Sequence, residues 1–444
     1  MNKNRRVAVV GSGISGAATA WLLRDCCAVS LYEADSRFGG HTHTFCVEEE
    51  SGPVNVDTGF MVFNRPNYPL LSALFDHLDV DTYPTDMSFS ASLFSGRFEY
   101  AGTDLNGLFG QRRNLFNPRF WGLLRSILRF NRVAQRTLVE PPSANQSLDA
   151  FLDGKGLSLL FRERYLYPMA AAIWSCPRGE VGKFPAQTFL RFFNNHGLVQ
   201  LTDRPQWHTV QGGSSRYMDR LIGDLGDRAH PGRAVSSVER AAQWVDLCFA
   251  DGSRERYDQV VLACHSDQAL RLVSRPTPSE RSVLSAIRYQ PNRVILHRDP
   301  ALMPQQRRVW SSWNYLSEPE IDPSGAVSVT YWMNSLQRLA TRNDYFVSLN
   351  PLREPARDSV VAEFSYDHPV FSLDALNAQK QLYRIQGRDR LWFAGAWTGY
   401  GFHEDGMRSG VEVARALGAQ VPWEHQAEAS RDLTLVPQIV PEAA

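Results

Sequence analysis

The sequence predicts an α/β fold in which a Rossmann-type βαβ domain is interleaved with an α+β domain. Three observations carry that prediction. A short β-branched run near the start passes at once into a glycine turn and a helix. A second strand, loop and helix start lies near the other end. The 444 residues exceed one ordinary core, and 43% hydrophobic residues are enough to fill two.

The first element is Val7 to Val10, an apolar run that reads as a buried strand. Gly11-Ser12-Gly13-Ile14-Ser15-Gly16 follows, and helical character runs from Ala17 to Arg24. Strand, glycine turn and helix form the context that a dinucleotide loop needs. Gly11 permits the tight turn, Gly13 lets the backbone approach a pyrophosphate, and Gly16 lets the helix pack on the strand. The phosphates then meet free N–H groups at the helix start. Ala28 to Tyr32 is the next strand, and it ends at Glu33, 22 residues after Gly11. There a carboxylate can accept from ribose hydroxyls. Asn4-Arg5-Arg6 and the apolar run to Leu23 could pass for a leader peptide, but the glycine spacing assigns them to this unit.

The second block runs Leu391-Trp392-Phe393-Ala394-Gly395-Ala396-Trp397, then Gly399-Tyr400-Gly401-Phe402-His403-Glu404-Asp405-Gly406-Met407. The strand ends in Ala-Gly, so a ligand can approach its backbone. A helix from about Asp405 points its positive end outward. Between the blocks, Ala234 to Val238, Trp244 to Phe249 and Tyr257 to Ala263 read as a β-meander returning to a parallel strand.

With Arg37-Phe38-Gly39-Gly40-His41-Thr42 and Asp57-Thr58-Gly59-Phe60 added, the chain resembles the flavin-containing amine oxidase and phytoene desaturase superfamily over nearly its whole length. The resemblance implies a glutathione-reductase-like domain holding FAD noncovalently. It implies cofactor contacts at Gly11, Ser12, Gly13, Ile14, Ser15, Gly16, Glu33, Ala34, Gly40, His41, Thr42, Gly59, Phe60, Met61 and Val62. Further contacts are implied at Val235 (by its backbone), Ala263, Gly395, Ala396, His403, Glu404, Asp405 and Met407. No Cys in the C-terminal block offers a thioether. Glu404 is expected to cap or orient the helix start there. A narrower likeness rests on residues 39–44, 57–64, 289–292, 310–315, 366–371 and 399–406. It is to a bacterial branch often associated with cyclopropane fatty acid synthase-like methyltransferases. This implies a fatty acyl substrate, perhaps methylated, and a methyltransferase as a candidate partner.

Flavin accepts a hydride, and the protein supplies orientation and electrostatics. Amine-oxidising members usually place a Lys near the ring, yet no Lys stands between Lys183 and Lys380. Phe402 takes the place of their Tyr. Arg307 to Tyr315 and Val327 to Leu336, the candidate substrate strands, carry no acid. Phe63, Trp174, Trp310, Trp313, Trp332 and Phe402 are the expected walls of an apolar slot. His41, His403 and Tyr400 are the candidate catalytic groups. Desaturation or oxidation of an acyl chain is the leading expectation. Redox-neutral isomerisation, amine oxidation and a non-catalytic role beside a methyltransferase are the alternatives.

The expected domains are 1–80, 205–285 and 385–420 for FAD, 81–204 and 286–384 for substrate, and a tail over 421–444. The zero net charge gives no reason to expect nucleic acid. The six Cys form no CxxC pair, which argues against a metal site and fits free thiols in the cytoplasm. Leu105 to Val139 contains seven Arg and no acid, interleaved with aromatic and aliphatic residues. Leu124, Ile127 and Leu128 fit helical spacing, with Arg125 and Arg129 on another face. This segment is either a peripheral contact with the inner membrane face or an ordinary surface helix packed inward.

Overall fold

The computed structural model describes residues 4–137, 146–200, 204–318 and 327–423. Most of the expected tail, and Leu138 and Val139 of the basic segment, lie outside these residues.

Five parallel strands form one sheet, in the order Ala229–His230, Ala28–Tyr32, Arg6–Val10, Gln259–Leu262, Leu391–Phe393. Val7 to Val10 and Val260 to Leu262 are buried residue after residue. Helices and the meander cover both faces, which is why these strands read as continuous apolar runs. Helix Ile14–Leu23 is buried along its whole length. It packs against Ser215–Leu225 and the C-terminal helix His403–Ala416. The last contact is close, since a Cβ on Gly410 would stand 2.5 Å from the Ser15 carbonyl oxygen. The two ends of the chain are thereby joined. The meander is Val235–Arg240, Val245–Phe249 and Arg254–Tyr257, antiparallel throughout.

A second, seven-stranded sheet has the order Val360–Pro369, Tyr289–His297, Phe346–Leu349, Ser328–Trp332, Trp313–Ser317, Phe89–Leu93, Phe98–Ala101. Its neighbours are antiparallel, except that Trp313–Ser317 runs parallel to Phe89–Leu93. Helices Tyr167–Trp174 and Ala186–Asn195 share its apolar core. Helix Pro118–Thr137 turns Phe120, Leu123, Phe130 and Ala134 inward. The expected stripe of Leu124, Ile127 and Leu128 is split: the first two are half-buried, while Leu128 faces outward beside Arg125 and Arg129. Among the described residues, no helix is long and apolar enough to cross a membrane.

Candidate active site

A cavity of about 1070 Å³ lies between the carboxyl ends of the parallel strands and the seven-stranded sheet. Its first part is the glycine loop. Gly11, at φ +99°, donates its N–H to Tyr32 O at 2.8 Å. A side chain there would strike Ala263 O at 2.7 Å, and one on Gly16 would lie 1.9 Å from Gly11 O. A Cβ on Gly13 would meet nothing within 4 Å, because that space is the cavity itself. No side chain caps the helix start at Ile14, so its amide dipoles are available to an anion. Glu33 braces the loop: Oε2 accepts from Ser12 N at 2.8 Å and Ser12 Oγ at 2.5 Å, and Oε1 from Asp35 N at 3.0 Å.

The middle of the cavity is walled by Gly40, His41, Gly59 to Val62 and His403. Phe60 N donates to His41 O at 2.7 Å, and Gly59 has no room for a side chain against that carbonyl. Asp57 lies behind this turn. It accepts from Thr44 Oγ1 at 2.6 Å, Ser214 N at 2.9 Å and Gln337 Nε2 at 2.9 Å. Burial pushes its carboxyl up to about 6. The Asp57 carboxylate therefore clamps three segments and does not line the cavity.

The candidate catalytic groups separate clearly. His403 Nε2 is bonded to Tyr217 Oη at 2.5 Å and Thr42 Oγ1 at 3.2 Å, and its ring stacks on Phe60 at 3.9 Å. Burial lowers it to about 3, so the imidazole is neutral and held from behind. His41 is different. Its Nε2 is buried without a partner. Burial, then the imidazoles of His368, His265 and His403 and the charge of Arg37, hold it well below the usual histidine range. The Tyr400 hydroxyl is also buried without a partner, and burial raises its pKa.

The far part of the cavity is apolar. Trp174, Trp313 and Phe402 line it as expected, together with Phe192, Tyr331 and Met87. Three expected walls lie elsewhere. Phe63 is fully buried against Tyr68 and Phe75 in the core beside the parallel sheet, because its short strand pairs with Trp207–Val210. Strand alternation turns Tyr331 to the cavity and Trp332 away from it. Trp332 then meets Trp310 at 5.5 Å, and their N–H groups are bonded to Asp344 Oδ1 and Pro304 O.

Several expected cofactor contacts also stand back from the cavity. Gly16 lies beneath the loop. Ala34, Thr42, Val235, Asp405 and Met407 are not at the wall, and Met407 is wholly buried behind it. Glu404 does not cap its own helix. Its oxygens accept from Leu70 N and Leu71 N, each at 3.0 Å, so it caps helix Pro69–His77 instead. Asp405 takes the local role, accepting from Tyr400 N and Phe402 N. The remaining predicted positions, Gly11 to Ser15, Glu33, Gly40, His41, Gly59 to Val62, Ala263, Gly395, Ala396 and His403, come together at one wall.

Sequence reading met Tyr366 and His368 only within the 366–371 likeness and gave them no place in the site, yet they face His41 at ring distances of 5.1 and 5.3 Å. They stand two apart on one face of strand Val360–Pro369, a period-two signal that was available. His265, at 6.3 Å from His41, completes a neutral imidazole cluster. Tyr217, the anchor of His403, sits on a helix of unremarkable sequence and carried no local signal.

A phosphate loop at the carboxyl end of a parallel sheet, facing an apolar slot beneath a second sheet, defines a flavin-dependent oxidoreductase. The chain belongs to the flavin containing amine oxidoreductase family, whose model matches residues 14–418. Comparison with curated proteins by sequence finds no match. Solved structures share the fold. A CLA-producing fatty acid isomerase from P. acnes has a TM-score of 0.65 at 15% identity, over 94% of this chain and 99% of its own. Putrescine oxidase bound to putrescine has 0.65 at 15%, over 93% and 98%. Cyclohexylamine oxidase from Brevibacterium oxydans IH-35A has 0.64 at 16%, over 96% and 100%. The cofactor is FAD, and the site fits it: the helix start is uncapped and the space over Gly13 is open.

Proposed function

We propose that this oxidoreductase acts on an apolar acyl chain, removing hydrogen from it. The observation that carries the reading is the far wall of the cavity, where Trp174, Phe192, Trp313, Tyr331 and Phe402 converge and, among the described residues, no lysine lines the cavity. An amine substrate would be held more readily by a free carboxylate, and the one beside this wall, Asp86, already accepts from Ser88 Oγ and from Ser312 Oγ at 3.1 Å. Bound FAD supplies the hydride acceptor, with dioxygen taking the electron pair afterwards. The chain's residues supply the rest. The aromatic walls exclude water and hold a flexible chain still. His41, neutral and unpartnered, offers Nε2 as an acceptor for the proton lost beside the hydride.

Anaerobic mixing with unsaturated or methyl-branched acyl lipids tests this. The flavin absorbance should fall with one equivalent of substrate, while putrescine and cyclohexylamine leave it unchanged. Rapid bleaching by either amine overturns the reading. The shared fold of the fatty acid isomerase favours one second reading, a redox-neutral isomerisation. Substrate turnover without lasting loss of absorbance identifies it.

A further inference from the structure

Residues 105–137 place seven arginines on the surface, all exposed: Arg112, Arg113, Arg119, Arg125, Arg129, Arg132 and Arg136. Arg125, Arg129, Arg132 and Arg136 follow one another at spacings of three and four, so they share the outward face of helix Pro118–Thr137. None of these four makes an ion pair among the described residues. The carboxylates on neighbouring elements are already engaged, Asp153 with Arg162 at 2.5 Å and Glu163 with Arg178 at 3.1 Å. Among the described residues only Arg129 of the four is tied back, by bonds to Lys155 O at 2.8 Å and Gly156 O at 3.3 Å; a row of like charges such as this destabilises an isolated helix. It suits an external anion.

Apolar groups that water does not favour lie on this helix and on the turns that precede it. Phe116 is 89% exposed, Leu105 74% and Trp121 51%. They are not scattered. The Trp121 indole donates to Leu115 O at 2.9 Å, one residue before Phe116, and its ring lies 5.5 Å from Phe109. Leu159 is also exposed, on a turn packed against the helix. A basic helix with aromatic residues at the same surface combines phosphate binding with apolar insertion. All seven cations are Arg, whose planar donors match phosphate oxygens in pairs. The cavity leads towards this face as well, since its lining includes Gly102 and Thr103, which directly precede the Asp104 cap and Leu105.

We propose that this face docks the protein on an anionic phospholipid bilayer, with Phe116, Trp121 and Leu105 entering the headgroup boundary and the arginine row lying on lipid phosphates. The docking does not depend on which substrate the cavity takes. Co-sedimentation of the FAD-loaded full chain with vesicles tests it. Phosphatidylcholine vesicles containing phosphatidylglycerol should pellet the protein, and pure phosphatidylcholine vesicles should pellet far less. Raising the salt to 1 M shortens the Debye length from about 8 Å to about 3 Å and should release it. Each arginine near the surface contributes about 1 kcal/mol, or roughly fivefold. The triple variant Arg125→Ala, Arg132→Ala, Arg136→Ala should therefore bind roughly 100-fold more weakly. Phe116→Ser, which touches no core, should weaken binding independently, and both variants should keep their flavin and melting temperature. No pelleting with anionic vesicles, or variants that pellet like the wild type, overturns the proposal. A dimer in size-exclusion chromatography that Phe116→Ser dissolves also overturns it, assigning the face to a second copy.

Discussion

Gly13 and Gly16 differ by one turn of chain, and substitution should separate binding from folding. Gly13 has φ −58° and ψ 174°, a conformation any residue adopts, and no atom lies within 4 Å of a Cβ placed on it. Gly13→Val should therefore cost the FAD-free protein no more than about 1 kcal/mol, from the poorer helix-start preference of valine. The added methyl groups fill the space where the backbone would meet the pyrophosphate. At FAD one hundred times its Kd, the wild type gains about 2.7 kcal/mol of stability from binding. The variant should gain none of it. Gly16→Ala reverses the pattern. Its Cβ would lie 1.9 Å from Gly11 O and 3.0 Å from the Ala263 side chain, so helix and strand must move apart. Overpacking of this kind typically costs about 1–3 kcal/mol or more. Thermal unfolding of both variants, with and without added FAD, reads all four quantities. A Gly13→Val protein with its full complement of flavin would refute the loop assignment, and a Gly16→Ala protein as stable as wild type would refute the packing.

Glu33→Ala should weaken FAD binding without abolishing it, by about 1.5–3 kcal/mol for a charge-assisted hydrogen bond, measured by calorimetric titration of the FAD-free protein. Acid precipitation should release FAD into the supernatant, whereas flavin retained in the pellet would indicate covalent attachment. Glu404 has its carboxyl raised by burial from 4.5 to about 7. Its contribution to stability is then fully present below about 4.5 and is lost as pH rises through about 7. The stability difference between wild type and Glu404→Gln should shift against the wild type across that window, and a difference that is flat with pH would contradict the burial.

Much of the nucleotide half is legible in sequence because its signals are local. Val7 to Gly16 states strand, turn and helix in ten residues, and Glu33 follows at the end of the adjacent strand. The second half of the cavity is assembled from distant segments, and its residues are chosen by register. Trp313 and Trp332 look alike in composition. Only the pairing of Trp313 with Tyr331 decides that Trp332 turns away. Phe63 follows the Gly59 turn closely, yet one short strand carries it into a different core. Glu404 stands where a cap of its own helix is expected, but Asp405 reaches the local amides and leaves Glu404 for Leu70 and Leu71. In each case local chemistry allowed two partners and tertiary distance selected one.

The two histidines singled out by sequence show how burial alone does not define a catalytic group. Both are half-buried at the cavity wall and both are neutral, so protonation state does not distinguish them. Their partners do. His403 Nε2 is held by Tyr217 and Thr42, which fixes the ring against Phe60 and makes it a wall. A proton arriving at that nitrogen would have to displace the bond to Tyr217. His41 Nε2 has no bond to displace, and an unpartnered polar atom in a buried site is costly unless a ligand completes it. Burial first, and then the imidazoles of His368 and His265, oppose its charging, so the ring meets a bound ligand in its neutral form. Of the two histidines, His41 is therefore the one whose nitrogen is open to a ligand in the cavity, and that separates it from a wall residue.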